Sequence, residues 1–129
     1  MSKTKRSIDW VKTKGERYAG IHLLAEFWQG KAVEDPSRLK EILITAAKKS
    51  HNIPLEVTIH QFKPHGITGV ILLAESHLSI HSWPEFHYLA VDVFSCGEKG
   101  RPSLALEYLK KEFRPKKVEL QIIKRGVIR

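Results

Sequence analysis

Extended segments joined by short links fill the middle of the chain, and they limit the fold more than any other feature. The segment LEVTIHQFK (55–63) alternates apolar and polar residues, as a strand with one buried face does. One face would carry Leu55, Val57 and Ile59, and the other Glu56, Thr58, His60 and Phe62. After a PHG turn, TGVILLA (68–74) is typical of a buried strand, and HLSIHSW (77–83) continues extended until Pro84. YLAVDVFSC (88–96) predicts a further strand, and such short links favour antiparallel neighbours.

Two helices and two further strands are predicted outside this region. Asp35 can cap the first helix and Pro36 suits its first turn. Its apolar residues recur at helical spacing, at Leu39, Ile42, Leu43, Ala46 and Ala47. RPSLALEYLKKEF (101–113) predicts the second helix, and strands are predicted from Gly20 to Trp28 and in KKVELQIIK (116–124).

The predicted order of elements is therefore β-α-β-β-β-α-β. Helices of this length beside a mostly antiparallel sheet predict the α+β class, as a two-layer α/β sandwich with the helices on one face. The other sheet face would carry alternating polar and aromatic side chains. A domain of this size with an exposed sheet face often completes its core by forming a homodimer.

The chain has 129 residues, enough for one domain. Its single cysteine, Cys96, cannot form an internal disulfide, which favours a reducing compartment. The basic N-terminus lacks the apolar core of a secretory signal, and the longest apolar run, VILLA, is far too short to cross a membrane. We therefore expect a cytoplasmic protein without a membrane partner.

The net charge of +8 is concentrated at the two ends of the chain. Residues 1–17 carry +4 and residues 110–129 carry +6, whereas residues 18–109 carry −2. We expect 1–17 to be a basic, poorly ordered extension and 18–129 to form one domain. Binding of nucleic acid through the basic ends is an alternative, but no aromatic interleaving or nucleic-acid motif accompanies the charge, which favours solvated termini.

The segment ESHLSIHSWPE (75–85) places hydroxyls, imidazoles and carboxylates directly after a buried strand. His77, His81 and His87 with Cys96 match no paired zinc-ligand spacing, so no metal site is predicted. A hydrolase triad could use one of the serines with a histidine oriented by Glu75 or Asp92, yet the chain lacks a Gly-x-Ser-x-Gly elbow. No single candidate is convincing alone, but five of them lie on consecutive predicted strands, where we expect them to be close together. They are Thr68, Glu75, Ser76, His81 and Cys96.

This segment, preceded by FKPHGITGVILLA and followed by YLAVDVFSCG, resembles the prokaryotic S-adenosylmethionine decarboxylase family. The resemblance runs from about Gly20 to Gly126, and both GIHLLAEFW and ALEYLKKEFRPKKVELQIIKRG fit it. Members of that family are proenzymes that cleave themselves to make their cofactor. The resemblance implies cleavage between Glu75 and Ser76, giving a β chain of residues 1–75 and an α chain of residues 76–129.

The resemblance also implies a role for each residue of the set. Ser76 would become the covalent pyruvoyl group that forms a Schiff base with the substrate. His81 would accept the Cα proton during processing, and Cys96 would donate a proton during decarboxylation. Thr68 would supply the processing hydroxyl, at a position where the family usually has serine.

The same resemblance assigns substrate-binding roles to Phe62, Trp83 and Glu85. The two aromatic rings would stack on the adenine or attract the sulfonium, and the carboxylate would accept hydrogen bonds from the ribose. The family members are dimers of αβ units with active sites near the interface.

The predicted function is therefore decarboxylation of S-adenosylmethionine (EC 4.1.1.50) for spermidine biosynthesis. A pyruvoyl-dependent arginine or ornithine decarboxylase of the same fold is an alternative, although a small amino acid would have nothing to stack on Phe62 or Trp83. A non-catalytic, basic nucleic-acid-binding protein is the alternative from another class.

Overall fold

A computed structural model of the protein describes residues 11–13, 16–96 and 99–128. Its main body is a six-stranded antiparallel sheet with two helices. The strands and helices, in chain order, are β1 (Val11–Thr13), β2 (Glu16–Tyr18), β3 (Gly20–Trp28), α1 (Pro36–Lys49), β4 (Ile53–Gln61), β5 (Ile67–Ala74), β6 (Ser76–Trp83), β7 (Tyr88–Cys96), α2 (Pro102–Phe113) and β8 (Lys117–Arg125). The order across the sheet is β4-β5-β6-β7-β3-β8, and β1 and β2 form a separate two-stranded sheet.

The predicted α+β sandwich is confirmed, but the main sheet has one strand more than the predicted order. The extended region before Pro84 is not one run: the chain reverses at Glu75, so β5 and β6 form a hairpin in which Leu73 pairs with Ser76. The reversal carries no glycine, proline or asparagine, which are the usual signals of a tight turn, so the sequence pattern did not indicate it.

The core lies between the helices and one face of the sheet. Alternate residues of β3, β5, β6 and β7 point to this side and are buried, among them Phe27, Ile71, Leu78, Ile80 and Val93. Gly69 allows α1 to approach β5 closely, because a Cβ at this position would lie 2.8 Å from side-chain carbons of both Leu39 and Leu43. The predicted cap is present, since the Asp35 carboxylate accepts a hydrogen bond from the Ser37 amide at 3.1 Å.

No helix of the described residues covers the opposite face of the sheet, which we call the open face. A row of stacked rings crosses it: the centroids of Trp28 and Tyr88 lie 4.6 Å apart, and those of Tyr88 and Trp83 lie 5.4 Å apart. Leu55 is predicted to share a face with Val57 and Ile59, which pack against the core, but it is 54% exposed. A register shift between Pro54 and Glu56 interrupts the alternation of β4 at this point.

The expected N-terminal extension, 1–17, lies mostly outside the described residues. Its described part includes β1, and Arg17 of β2 exchanges backbone hydrogen bonds with Ile128 near the other end of the chain. Among the described residues, neither helix has the length and apolar character needed to cross a membrane.

Candidate active site

The hairpin between β5 and β6 places the Glu75–Ser76 bond beside the end of β7. The backbone amide of Cys96 donates a hydrogen bond to the carbonyl oxygen of Glu75 at 3.1 Å. Ser76 pairs with Ser95, and both Glu75 and Ser76 are half-buried. The Cys96 side chain is 8% exposed. Three of the predicted site residues, Glu75, Ser76 and Cys96, therefore meet here. An amide donor contacts the carbonyl of the Glu75–Ser76 bond, at which the resemblance implies cleavage.

The other two members of the predicted set form a separate pair on the open face. Thr68 and His81 are opposite each other on β5 and β6, and the Thr68 hydroxyl lies 3.1 Å from Nδ1 of His81. Both residues are half-buried. The ring of His81 lies 6.3 Å from that of Trp83, so the pair adjoins the row of stacked rings.

The expectation that all five residues lie close together is wrong for a single chain. Ser76 and His81 both belong to β6 and are five residues apart. At about 3.3 Å per residue this separates their backbones by roughly 16 Å, and an odd spacing directs their side chains to opposite faces. The chain therefore holds two separate groups of candidate residues. We call them the cleavage half-site (Glu75, Ser76 and Cys96) and the histidine half-site (Thr68 and His81).

The three predicted substrate-binding residues lie in or beside two neighbouring turns at one end of the sheet. Phe62 is 49% exposed and Trp83 is 41% exposed. Nε2 of His65, in the turn after Phe62, lies 3.3 Å from Oε1 of Glu85, so the two turns are in contact. Exposed aromatic rings beside a carboxylate suit a ligand with a flat base and a positive charge.

An acidic pocket on the open face was not predicted from the sequence. The hydroxyl of Tyr88 donates a hydrogen bond to Glu26, and the Trp28 indole donates one to Glu119 at 2.8 Å. Burial raises the pKa of Tyr88 to about 12, with further contributions from the hydrogen bond to Glu26 and from the charges of Glu26 and Glu119. These groups line a cavity of about 810 Å³ that His81 also borders. The sequence could not reveal these pairs, because each joins strands that are distant in the chain: Tyr88 of β7 contacts Glu26 of β3, and Trp28 of β3 contacts Glu119 of β8.

A second unpredicted cluster joins His22, His77 and Asp92 on the open face. The Asp92 carboxylate accepts hydrogen bonds from His22 and from the Ser79 hydroxyl (3.0 Å), and Nε2 of His77 lies 3.6 Å away. The donor set of two imidazoles and a carboxylate could hold a metal ion.

The surroundings of this cluster fit a hydrogen-bonded network better than a metal. The Arg125 guanidinium lies 3.4 Å from Nδ1 of His22. Because arginine can only donate, Nδ1 accepts and the ring proton resides on Nε2, facing Asp92. The histidines considered from the sequence do not assemble with Cys96, since His77 and His81 are about 13 Å apart along β6.

The fold is shared with a known decarboxylase. The crystal structure of the adenosylmethionine decarboxylase from Aquifex aeolicus VF5 superposes with a TM-score of 0.80 and 35% identity, over 87% of this chain and 94% of that one. Among curated relatives, the S-adenosylmethionine decarboxylase proenzyme of Sulfurihydrogenibium sp. (strain YO3AOP1) is 42% identical over 115 residues, covering 88% of this chain and 86% of the relative. That of Thermodesulfovibrio yellowstonii is 43% identical over 111 residues, covering 84% and 82%.

The family described as S-adenosylmethionine decarboxylase matches residues 21–126. The chain belongs to this family. The resemblance to this family, the predicted fold class and the predicted enzyme class are confirmed.

Proposed function

We propose that the chain is a proenzyme that cleaves its own Glu75–Ser76 bond and then decarboxylates S-adenosylmethionine. The observation that carries the proposal is the hydrogen bond of 3.1 Å from the Cys96 amide to the Glu75 carbonyl oxygen. A donor at this oxygen stabilises the negative charge that develops when a nucleophile adds to the carbonyl carbon. The nearest hydroxyl in sequence is that of Ser76 itself.

The cleavage chemistry uses the Ser76 hydroxyl as the nucleophile, a base to remove the Ser76 Cα proton, and one water molecule. The Ser76 hydroxyl adds to the Glu75 carbonyl carbon, its proton passes to the Ser76 nitrogen, and the C–N bond breaks to leave an ester. Removal of the Ser76 Cα proton then expels the Glu75 carboxylate and leaves dehydroalanine. The imine tautomer of this residue is hydrolysed to a pyruvoyl group, and ammonia is released.

The base for this elimination is His81 of a second copy of the chain. Within one chain His81 is roughly 16 Å from Ser76, too far for direct proton transfer. The open face carries exposed apolar side chains that a second copy would cover: Phe62, Leu72, Trp83 and Ile123. Two copies related by a two-fold axis would bring the histidine half-site of each chain to the cleavage half-site of the other, forming two equivalent sites.

Thr68 acts with His81 as a positioning hydroxyl in this arrangement. Its Oγ1, 3.1 Å from Nδ1 of His81, fixes the orientation of the imidazole ring. Threonine retains the hydroxyl of the serine that is usual at this position in the family.

The pyruvoyl group supplies a carbonyl that withdraws electrons as the substrate loses CO₂. Cys96 is the proton donor for the substrate Cα. Its side chain is attached to the Cα next to the amide nitrogen that contacts the cleavage site. Phe62 and Trp83 contact the adenine and the sulfonium, and Glu85 binds the ribose hydroxyls. Such ring stacking favours an adenosyl substrate over a small basic amino acid.

Intact-mass analysis of the purified protein tests the proposal. We expect two chains divided between residues 75 and 76, the second blocked by a keto group, while Ser76→Ala remains a single chain of 14.8 kDa. Release of CO₂ from S-adenosylmethionine, but not from arginine or ornithine, then establishes the substrate. A wild-type chain that stays uncleaved after prolonged incubation would refute self-processing.

A further inference from the structure

Three polar residues are buried together beneath the cleavage half-site. Ser50, Asn52 and Ser95 are 0%, 7% and 3% exposed. The Asn52 side-chain amide donates to the Ser50 hydroxyl at 2.9 Å, to the Ser50 carbonyl at 3.3 Å and to the Ser95 hydroxyl at 3.4 Å. The Ser50 hydroxyl in turn donates to the Ala47 carbonyl at 2.8 Å. Because buried polar groups are costly without partners, such a satisfied cluster favours one arrangement of the segments that it joins.

This cluster connects the end of α1 to the end of β7. Ser95 pairs with Ser76 on the neighbouring strand and directly precedes Cys96, whose amide contacts the Glu75 carbonyl. The position of Ser95 therefore determines where the Cys96 amide lies relative to the Glu75–Ser76 bond.

The segment before α2 also contacts this cluster. Gly100 packs directly on this serine, since a Cβ at Gly100 would lie 1.9 Å from the Ser95 hydroxyl oxygen. The amide of the next residue, Arg101, donates to the Ser50 carbonyl at 2.8 Å. Ser95 thus contacts both Asn52 and Gly100.

We propose that the Asn52–Ser95 hydrogen bond sets the rate of self-cleavage by positioning the Cys96 amide on the Glu75 carbonyl oxygen. The inference rests on the proposed self-cleavage, and it makes Asn52 and Ser95 positioning residues that do not touch the reacting atoms. Removing one donor from an oxyanion costs roughly 10²–10³ in rate, so a displaced donor is expected to cost about ten-fold.

Pulse-labelled precursor, followed by gel electrophoresis, measures the cleavage rate. Asn52→Ala and Ser95→Ala are each expected to slow cleavage about ten-fold. Ser50→Ala is the matched control, because it removes two hydrogen bonds of the same cluster but leaves the contact between Asn52 and Ser95 in place. This control is expected to lower the Tm while cleaving within about two-fold of the wild-type rate.

A spectroscopic measurement separates positioning from loss of stability. In the uncleaved Ser76→Ala protein, the amide proton signal of Cys96 should move upfield when Asn52→Ala is added, because its hydrogen bond lengthens, and should not move when Ser50→Ala is added.

The inference is overturned if Asn52→Ala and Ser95→Ala cleave as fast as wild type, or if Ser50→Ala slows cleavage as much as they do at an equal loss of Tm. Should Ser95→Ala fail to fold, Asn52→Ala and the Cys96 signal decide the matter, since the Ser95 hydroxyl is then intact. If the wild-type chain does not cleave at all, the proposed self-cleavage fails and this inference fails with it. If the wild type cleaves but the variants do not behave as expected, only this inference fails.

Discussion

Complementation between two inactive variants tests whether each site is built from two chains. His81→Ala removes the base from the histidine half-site, and Ser76→Ala removes the nucleophile from the cleavage half-site. General-base catalysis contributes roughly 10²–10⁴-fold, so His81→Ala alone should cleave slower by about that factor. Ser76→Ala alone should not cleave. The backbone separation of roughly 16 Å along β6 prevents His81 from reaching Ser76 of its own chain.

A dimer of one His81→Ala chain and one Ser76→Ala chain contains one site with both groups and one with neither. Random pairing at equal amounts places about half of the His81→Ala chains opposite an intact His81. Co-expression of the two variants with different affinity tags should therefore yield at least about half of the His81→Ala chains cleaved at the wild-type rate. The Ser76→Ala chains remain intact, and mass analysis of each tagged chain reports the two populations separately.

Two results would refute the reasoning. If His81→Ala remains uncleaved in purified mixed dimers, the base does not come from the second copy. If His81→Ala homodimers cleave at the wild-type rate, His81 is not the base. A matched control, His60→Ala, changes a histidine of β4, which is separated from β6 by β5, and should leave cleavage unchanged.

The pKa of Tyr88 is raised from 10.0 to about 12, so the folded protein holds the neutral phenol more strongly than the unfolded chain does. The stability that the neutral phenol contributes is therefore lost as the pH rises from about 10 to about 12. Ultraviolet titration of phenolate should show a tyrosine ionising near pH 12 that disappears in Tyr88→Phe; a titration without such a component would contradict the burial of Tyr88 beside Glu26. Gly69→Ala should lower the free energy of unfolding by about 1–3 kcal/mol in denaturant titration, because the new methyl group overlaps Leu43. An unchanged stability would show that α1 can move away. Asp35→Ala should cost about 1 kcal/mol through loss of the helix cap, with Asp35→Asn as the control that keeps an acceptor.

Local patterns were sufficient to predict most of the secondary structure. The strands 20–28 and 88–96 have the predicted bounds, since alternating side chains identify a strand with one buried face. The start of α1 followed from Asp35 and Pro36 for an equally local reason, because a cap and its helix are neighbours in sequence.

Elements that depend on register were missed or misplaced. Leu55 is exposed beside a register shift in β4, and the reversal at Glu75 has no glycine, proline or asparagine to indicate it. The contact of Tyr88 with Glu26 and that of Asn52 with Ser95 join segments distant in sequence, so no motif spacing could reveal them.

By itself, the sequence determined the family and the alternation of most strands, and it indicated the candidate site residues, because these are properties of short segments. Only the tertiary structure decided how those residues are distributed. It joins Cys96 to Glu75 across two strands and separates His81 from Ser76 along one strand. The physical reason is that a strand fixes both the distance and the face of its residues, whereas strand pairing decides which distant groups meet.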